Sequence, residues 1–231
     1  MPFDASIVSV PRAQGAGAME SFYARPQGPG PFPGLIVIHE IYGLNENIRE
    51  IAGRFAGEGY AALAVDLFAN RSRAYCMMQA FYGMLFRPLA NPLLADLQSS
   101  VDFLRTLPGV DGRRIGAVGF CMGGGYALQL AVTGKGLKAA SVFYGTNPRP
   151  LDAVARACPV VGSYPENDFT AKAAQDLEAA LTRHEVAHDI KIYENTRHSF
   201  FGRQRTPFEV DASRDAWQRM LSFFETYMAA A

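Results

Sequence analysis

Ile115-Gly116-Ala117-Val118-Gly119-Phe120-Cys121-Met122-Gly123-Gly124-Gly125 reads as an apolar run, a tight turn and the start of a helix. Gly119, Cys121 and Gly123 fit the nucleophile-elbow spacing, with cysteine where serine is usual. An elbow holds its nucleophile in a strained backbone conformation at the tip of a strand. Side chains two residues to either side would collide, so glycine is required there. The helix that follows aims its first amides at the reacting centre, which is expected to favour thiolate and oxyanion. One residue type at one spacing therefore points to covalent catalysis by a thiol.

Outward from the elbow, short apolar runs alternate with amphipathic stretches. Strands are expected over Ser6–Val10, Met19–Ala24, Leu35–His39, Tyr60–Val65, Ile115–Phe120, Ala139–Tyr144, Val160–Tyr164 and Asp189–Tyr193. The inner runs are nearly continuous in apolar residues, as in parallel strands covered on both faces. Helical spacing recurs in Ile48, Ile51, Ala52 and Phe55, and in Leu94, Leu97, Val101 and Leu104 behind Pro92. It recurs again in Ala173, Leu177, Ala180 and Leu181, and in Trp217, Met220, Leu221, Phe224 and Met228. Alternating strands and helices imply an α/β fold with right-handed crossovers and a mostly parallel, doubly wound sheet, helices on both faces. The two N-terminal runs are expected to pair antiparallel at one edge.

The 231 residues suffice for one large domain spanning 1–231, and no repeat, low-complexity tract or linker divides them. The 22 basic residues balance the 22 acidic ones, which argues against a nucleic-acid partner or a charged tail. No apolar run is long enough for a bilayer, and no signal peptide is evident. Three cysteines, Cys76, Cys121 and Cys158, suit reduced thiols in the cytoplasm better than a disulfide framework. No metal-ligand spacing or nucleotide motif stands out, so no cofactor is expected. The expected partner is a small-molecule ester or lactone, on a monomer or small homo-oligomer.

A thiol nucleophile needs a base, and the base needs an orienting group. In doubly wound sheets both belong past the carboxyl ends of strands. His198 lies in the turn after Asp189–Tyr193. His188 sits at the other end of that strand, His184 closes a polar helix, and His39 reads as a packed, hydrogen-bonded residue. The turn after Val160–Tyr164 offers Asp168, with Glu166 as the lesser choice. Nucleophile, acid and histidine then follow the chain order of α/β-hydrolases. Singly, each residue is more often turn or loop chemistry, but three in order at one sheet edge favour catalysis. Glu40 follows Leu35–His39 and could take the thiol proton, or serve as an ordinary loop carboxylate. Backbone amides of Ile41 and Met122 are the expected oxyanion hole.

These residues resemble the dienelactone hydrolase (carboxymethylenebutenolidase) family of the α/β-hydrolase fold. The likeness rests on Val37-Ile38-His39-Glu40-Ile41-Tyr42-Gly43-Leu44-Asn45, Gly119-Phe120-Cys121-Met122-Gly123-Gly124, Asp168 and His198-Ser199-Phe200. It implies hydrolysis of dienelactone to maleylacetate in the degradation of halogenated aromatics. It also implies a resting thiol held protonated near Glu40. Substrate displaces a local ion pair, and Glu40 then takes the proton. The thioester is cleaved by water with help from His198 and Asp168. The family grips its substrate carboxylate with arginines, which points to Arg71, four residues before Tyr75, with Arg73 as competitor. A guanidinium fork suits a carboxylate, although most arginines are solvated surface charges. The second arginine is expected at Gly202 but stands one later, at Arg203. Met78 replaces an aromatic wall residue within the soft run Cys76-Met77-Met78, and Phe86–Pro92 is expected to reshape the same wall. A broader esterase or thioesterase, a binding protein on a retired hydrolase fold, and a redox role for Cys121 are the competing expectations.

Overall fold

The computed structural model describes residues 1–14, 17–69, 71–86 and 89–229, without the side chains of Arg73, Phe81, Met84 and Leu85. Eight strands form one sheet in the order β1-β2-β4-β3-β5-β6-β7-β8. They are β1 (Phe3–Pro11), β2 (Ala18–Pro26), β3 (Phe32–Ile38), β4 (Ala61–Val65), β5 (Val110–Phe120), β6 (Leu137–Phe143), β7 (Val160–Asn167) and β8 (His188–Arg197). The first two pair antiparallel, and β2 meets β4 antiparallel. From β4 to β8 every pairing is parallel. All eight expected strands are present, most of them longer than the apolar run that marked them.

Alternation explains the layers. Successive strand side chains point to opposite faces. Leu35 and Val37 of β3 therefore join one core with α1 (Glu46–Gly57) and α6 (Pro207–Tyr227). Ile36 and Ile38 join the other with α3 (Pro92–Thr106) and α4 (Met122–Thr133). The helix α5 (Thr170–Arg183) completes that second side against β7 and α4. Three helix starts are set by their own side chains. Asn45, Asn91 and Thr206 accept the amides of Ile48, Leu94 and Glu209 at 3.1, 3.0 and 3.2 Å, and Pro92 and Pro207 follow two of them.

Two helices escape the periodicity argument. One is α2 (Arg73–Phe86), whose sequence RAYCMMQAFYGMLF carries few polar residues to mark an outer face. The other is α4, whose eleven residues Met122–Val132 are all buried, so no polar stripe exists to be read. On the far side, the Arg54 guanidinium lies 4.0 Å from the ring of Trp217, tying α1 to α6. Among the described residues no helix is long and apolar enough to cross a membrane.

Candidate active site

Cys121 stands between β5 and α4 with φ 55° and ψ −117°, a left-handed conformation unusual for a side-chain-bearing residue. Its neighbours over-determine that strain. A Cβ on Gly119 would come within 1.9 Å of the Gly123 carbonyl oxygen. A Cβ on Gly123 would fall 2.3 Å from the Ile38 carbonyl oxygen. The Cys121 amide donates to Phe143 O at 3.0 Å, and its carbonyl accepts from Gly125 at 3.2 Å. Backbone from β3, β5 and β6 thus fixes the position of Cys121.

A cavity of about 330 Å³ opens over Cys121. Its walls include Glu40, Ile41, Tyr42, Met122, Tyr144, Phe169, His198 and Ser199. Glu40 and Ile41 follow β3, Tyr144 follows β6, Phe169 lies between β7 and α5, and His198 and Ser199 follow β8. The carboxyl-end rule therefore gathers groups from five turns. The Asp168 carboxylate oxygen Oδ2 accepts from His198 Nδ1 at 2.7 Å. That bond leaves Nε2 as the nitrogen free for proton transfer. Tyr144 and Phe169 flank the imidazole, with ring centroids 4.9 and 5.5 Å away.

Glu40 is buried and accepts a hydrogen bond from Ser199 Oγ at 2.8 Å. No ion pair to Glu40 is found among the described residues; this hydroxyl bond is one that its side chain makes there. At Cys121 the helix-end amide and burial pull in opposite directions. Burial pushes the thiol up to about 11, while the amides of Met122 and Ile41 draw it down and the charges of Glu40 and Asp168 raise it further. Desolvation outweighs the two amides, a balance that favours the protonated thiol. The same environment holds Tyr144 protonated far into alkali, through its burial and then the charge of Glu40.

The remaining expectations divide. His39 is fully buried; its Nδ1 donates to Glu40 O at 2.6 Å and its Nε2 accepts from Leu67 N at 3.2 Å. His184 is not free in solvent but contacts Asp152 at 3.2 Å. His188 contacts Val186 O at the far end of β8. Glu166 accepts from Asn195 N at 2.9 Å and braces that turn instead of His198. Arg71 and Tyr75 are not among the residues lining the Cys121 cavity. They line a different one, of about 470 Å³, with Gln14, Ser72, Gln79, Pro92 and Asp96, Tyr75 from α2 and Arg71 from the segment before it. The Arg73 side chain, Arg87 and Pro88 lie outside the described residues, and Met78 is exposed. Gly202 packs on Asn47, whereas the Arg203 guanidinium sits 4.9 Å from the ring of Tyr42 at the rim of the Cys121 cavity. Tyr144, Phe169 and Ser199 were missed as site residues. Only the adjacency of Phe169 and Ser199 to Asp168 and His198 could have signalled those two. All three cysteines are free, and among the described residues no group of three or more His, Cys, Asp or Glu side chains could hold a metal.

Comparison with known proteins decides the family. The model of the dienelactone hydrolase family matches residues 19–228. The chain belongs to the dienelactone hydrolase family. A relative from Saccharolobus solfataricus, named "Putative carboxymethylenebutenolidase", is 32% identical, with 89% of this chain and 93% of the relative covered. A crystal structure from Klebsiella pneumoniae, titled "Putative Dienelactone Hydrolase", superposes with a TM-score of 0.84 at 28% identity over 98% of this chain and 100% of the other. A dienelactone hydrolase-like promiscuous phosphotriesterase from metagenomic libraries gives 0.83 at 26% identity, over 98% and 99% of the two chains. This member of the dienelactone hydrolase family is an α/β-hydrolase enzyme.

Proposed function

We propose that the chain is a cysteine-dependent hydrolase that opens dienelactone to maleylacetate through a thioester on Cys121. One observation carries the reading. A strained Cys121, two backbone amides facing its sulfur, a buried carboxylate and the His198–Asp168 pair all meet at one cavity. In this reading the thiol is neutral at rest, and the substrate completes its activation. The lactone displaces the Ser199 hydroxyl from Glu40, and Glu40 accepts the Cys121 proton. The thiolate sulfur bonds to the lactone carbonyl carbon, and the oxyanion rests on the amides of Ile41 and Met122. Collapse expels the enolate oxygen, which is protonated and tautomerises to the ketone. Water then attacks the thioester, with His198 as base and Asp168 holding the imidazolium. Arg203 at the cavity rim is the nearest candidate for the substrate carboxylate. The reading makes the enzyme a single cytoplasmic domain without cofactor, serving aromatic degradation.

A second reading, a broader carboxylesterase or thioesterase, is favoured by the displacement of Arg71 and Tyr75 to another cavity. Steady-state hydrolysis of cis- and trans-dienelactone beside a simple aryl ester separates the two. High kcat/KM on a dienelactone with slow aryl ester turnover supports the first. Ester turnover with no dienelactone turnover overturns it in favour of the second.

A further inference from the structure

Thr170 is the first residue of α5 and is fully buried. A capping threonine would stand one place earlier, but the N-cap of α5 is Phe169, which makes no side-chain cap. The turn is closed by backbone, with Ala171 N donating to Asp168 O at 3.1 Å. The Thr170 hydroxyl goes elsewhere: Oγ1 lies 2.5 Å from Asp168 Oδ2. That is the same oxygen His198 Nδ1 reaches at 2.7 Å. An ionised carboxylate only accepts, so hydroxyl and imidazole both donate into one oxygen. A hydrogen bond to a charged group is stronger than a neutral one, and two donors on one oxygen compete for its electron density.

We propose that Thr170 is a positioning residue for the Asp168–His198 pair: its hydroxyl fixes the rotation of the carboxylate and moderates the pull of Oδ2 on the imidazole N–H. The proposal rests on the reading of His198 as the base of thioester hydrolysis. Other ionisable groups near His198 are Cys121 before α4, Glu40 and Tyr42 after β3 and Tyr144 after β6 in the shared cavity. Arg205 donates to the His198 carbonyl at 3.3 Å, and Arg203 donates its amide to Ser199 O in the same loop. None of these touches Asp168 Oδ2 among the hydrogen bonds of the described residues. Loss of the hydroxyl therefore concentrates the carboxylate on His198 and stabilises the imidazolium.

The test is the NMR titration of His198 in the substrate-free enzyme, beside the pH profile of kcat/KM, for Thr170→Val and Thr170→Ser. The valine variant is expected to raise the His198 pKa by about half a unit to one unit and move the acid limb equally to higher pH. It should also lower kcat/KM about tenfold, an effect the size of one charged hydrogen bond. The serine variant should restore all three. If valine does not fold, Thr170→Ala removes the same hydroxyl with less bulk and carries the same expectations. An unmoved His198 titration in a folded hydroxyl-less variant overturns the proposal, as does failure of serine to restore what valine loses. The two readings fail separately. Full activity in Cys121→Ala would overturn the catalytic reading, while the substrate-free titration would still decide the role of Thr170.

Discussion

Two cavities on this molecule were both plausible homes for substrate-handling groups, and they are built in opposite ways. The one over Cys121 is lined by turns that leave parallel strands, and its reacting groups are placed by backbone. Cys121, Tyr144 and Ser199 all hold positive φ there. The one along α2 is lined by Arg71, Ser72, Tyr75 and Gln79 from a helix and its approach, with Gln14 from the β1–β2 connection and Pro92 and Asp96 from α3. Strand ends are fixed by ladder pairing, with two neighbours for β3, β5, β6 and β7 and with β7 for the edge strand β8, so a residue in the turn behind one inherits that precision. A helix such as α2 can shift along its neighbours without breaking a ladder. The groups proposed to do the chemistry are at the first kind of place, and Arg71 and Tyr75, expected to hold substrate, line the second.

The largest break in this comparison comes from the elbow. Cys121→Ala is expected to lower kcat at least about 10⁴-fold, and Cys121→Ser nearly as much, with the fold unchanged. Near-normal turnover in either variant would remove the thiol from the mechanism. The next effect is one of pH. A thiol held up to about 11 should show no thiolate absorbance at neutral pH. Its alkylation by iodoacetamide should accelerate about tenfold per pH unit until that value is approached. The sign follows from burial of the neutral form. Unfolded thiol ionises first, near its ordinary value of 9.0, so this group also costs the folded state stability as pH rises from there toward about 11. A thiolate band at pH 7 would show that the helix end wins after all.

Smaller effects sharpen the contrast. Asp168→Asn should reduce kcat about a hundredfold or more by removing the charge that fixes the imidazole tautomer and holds the imidazolium, measured at saturating substrate. Last come the two arginines. Arg203→Ala is expected to raise KM for a carboxylate-bearing lactone about tenfold. Arg71→Ala should change kcat/KM less than about threefold. The reverse ranking would mean that the α2 cavity joins the substrate path.

Much of this was legible before any coordinates. The strands announced themselves because sheet residues such as Leu35 to Ile38 are buried on both faces and hence apolar without interruption. The chain order of Cys121, Asp168 and His198 pointed to the proposed triad because each follows its own strand, and the structure brings the three together. What escaped had no period or no pattern. Helix α4 was expected from the elbow, but its extent was not, because it is buried all round; α2 has too few polar residues to define an outer face. At Cys121 the helix end was visible in sequence and the extent of burial was not, so the protonated thiol followed only from the resemblance. The four-residue spacing from Arg71 to Tyr75 does not say which cavity the approach to α2 borders. Tyr144 was read only as the end of a strand, since nothing in sequence says that the next turn tips its ring toward His198.

The contact between Arg54 and Trp217 has a practical side. Trp217 is the chain's one tryptophan, only 4% exposed, with a cation 4.0 Å from its ring. Its emission therefore comes from a single site on the face of the sheet opposite α3 and α4. A red shift in that emission would report separation of α1 from α6. A variant that loses turnover yet keeps the blue, buried spectrum has lost chemistry rather than architecture, and the enzyme carries its own fluorophore to tell the two apart.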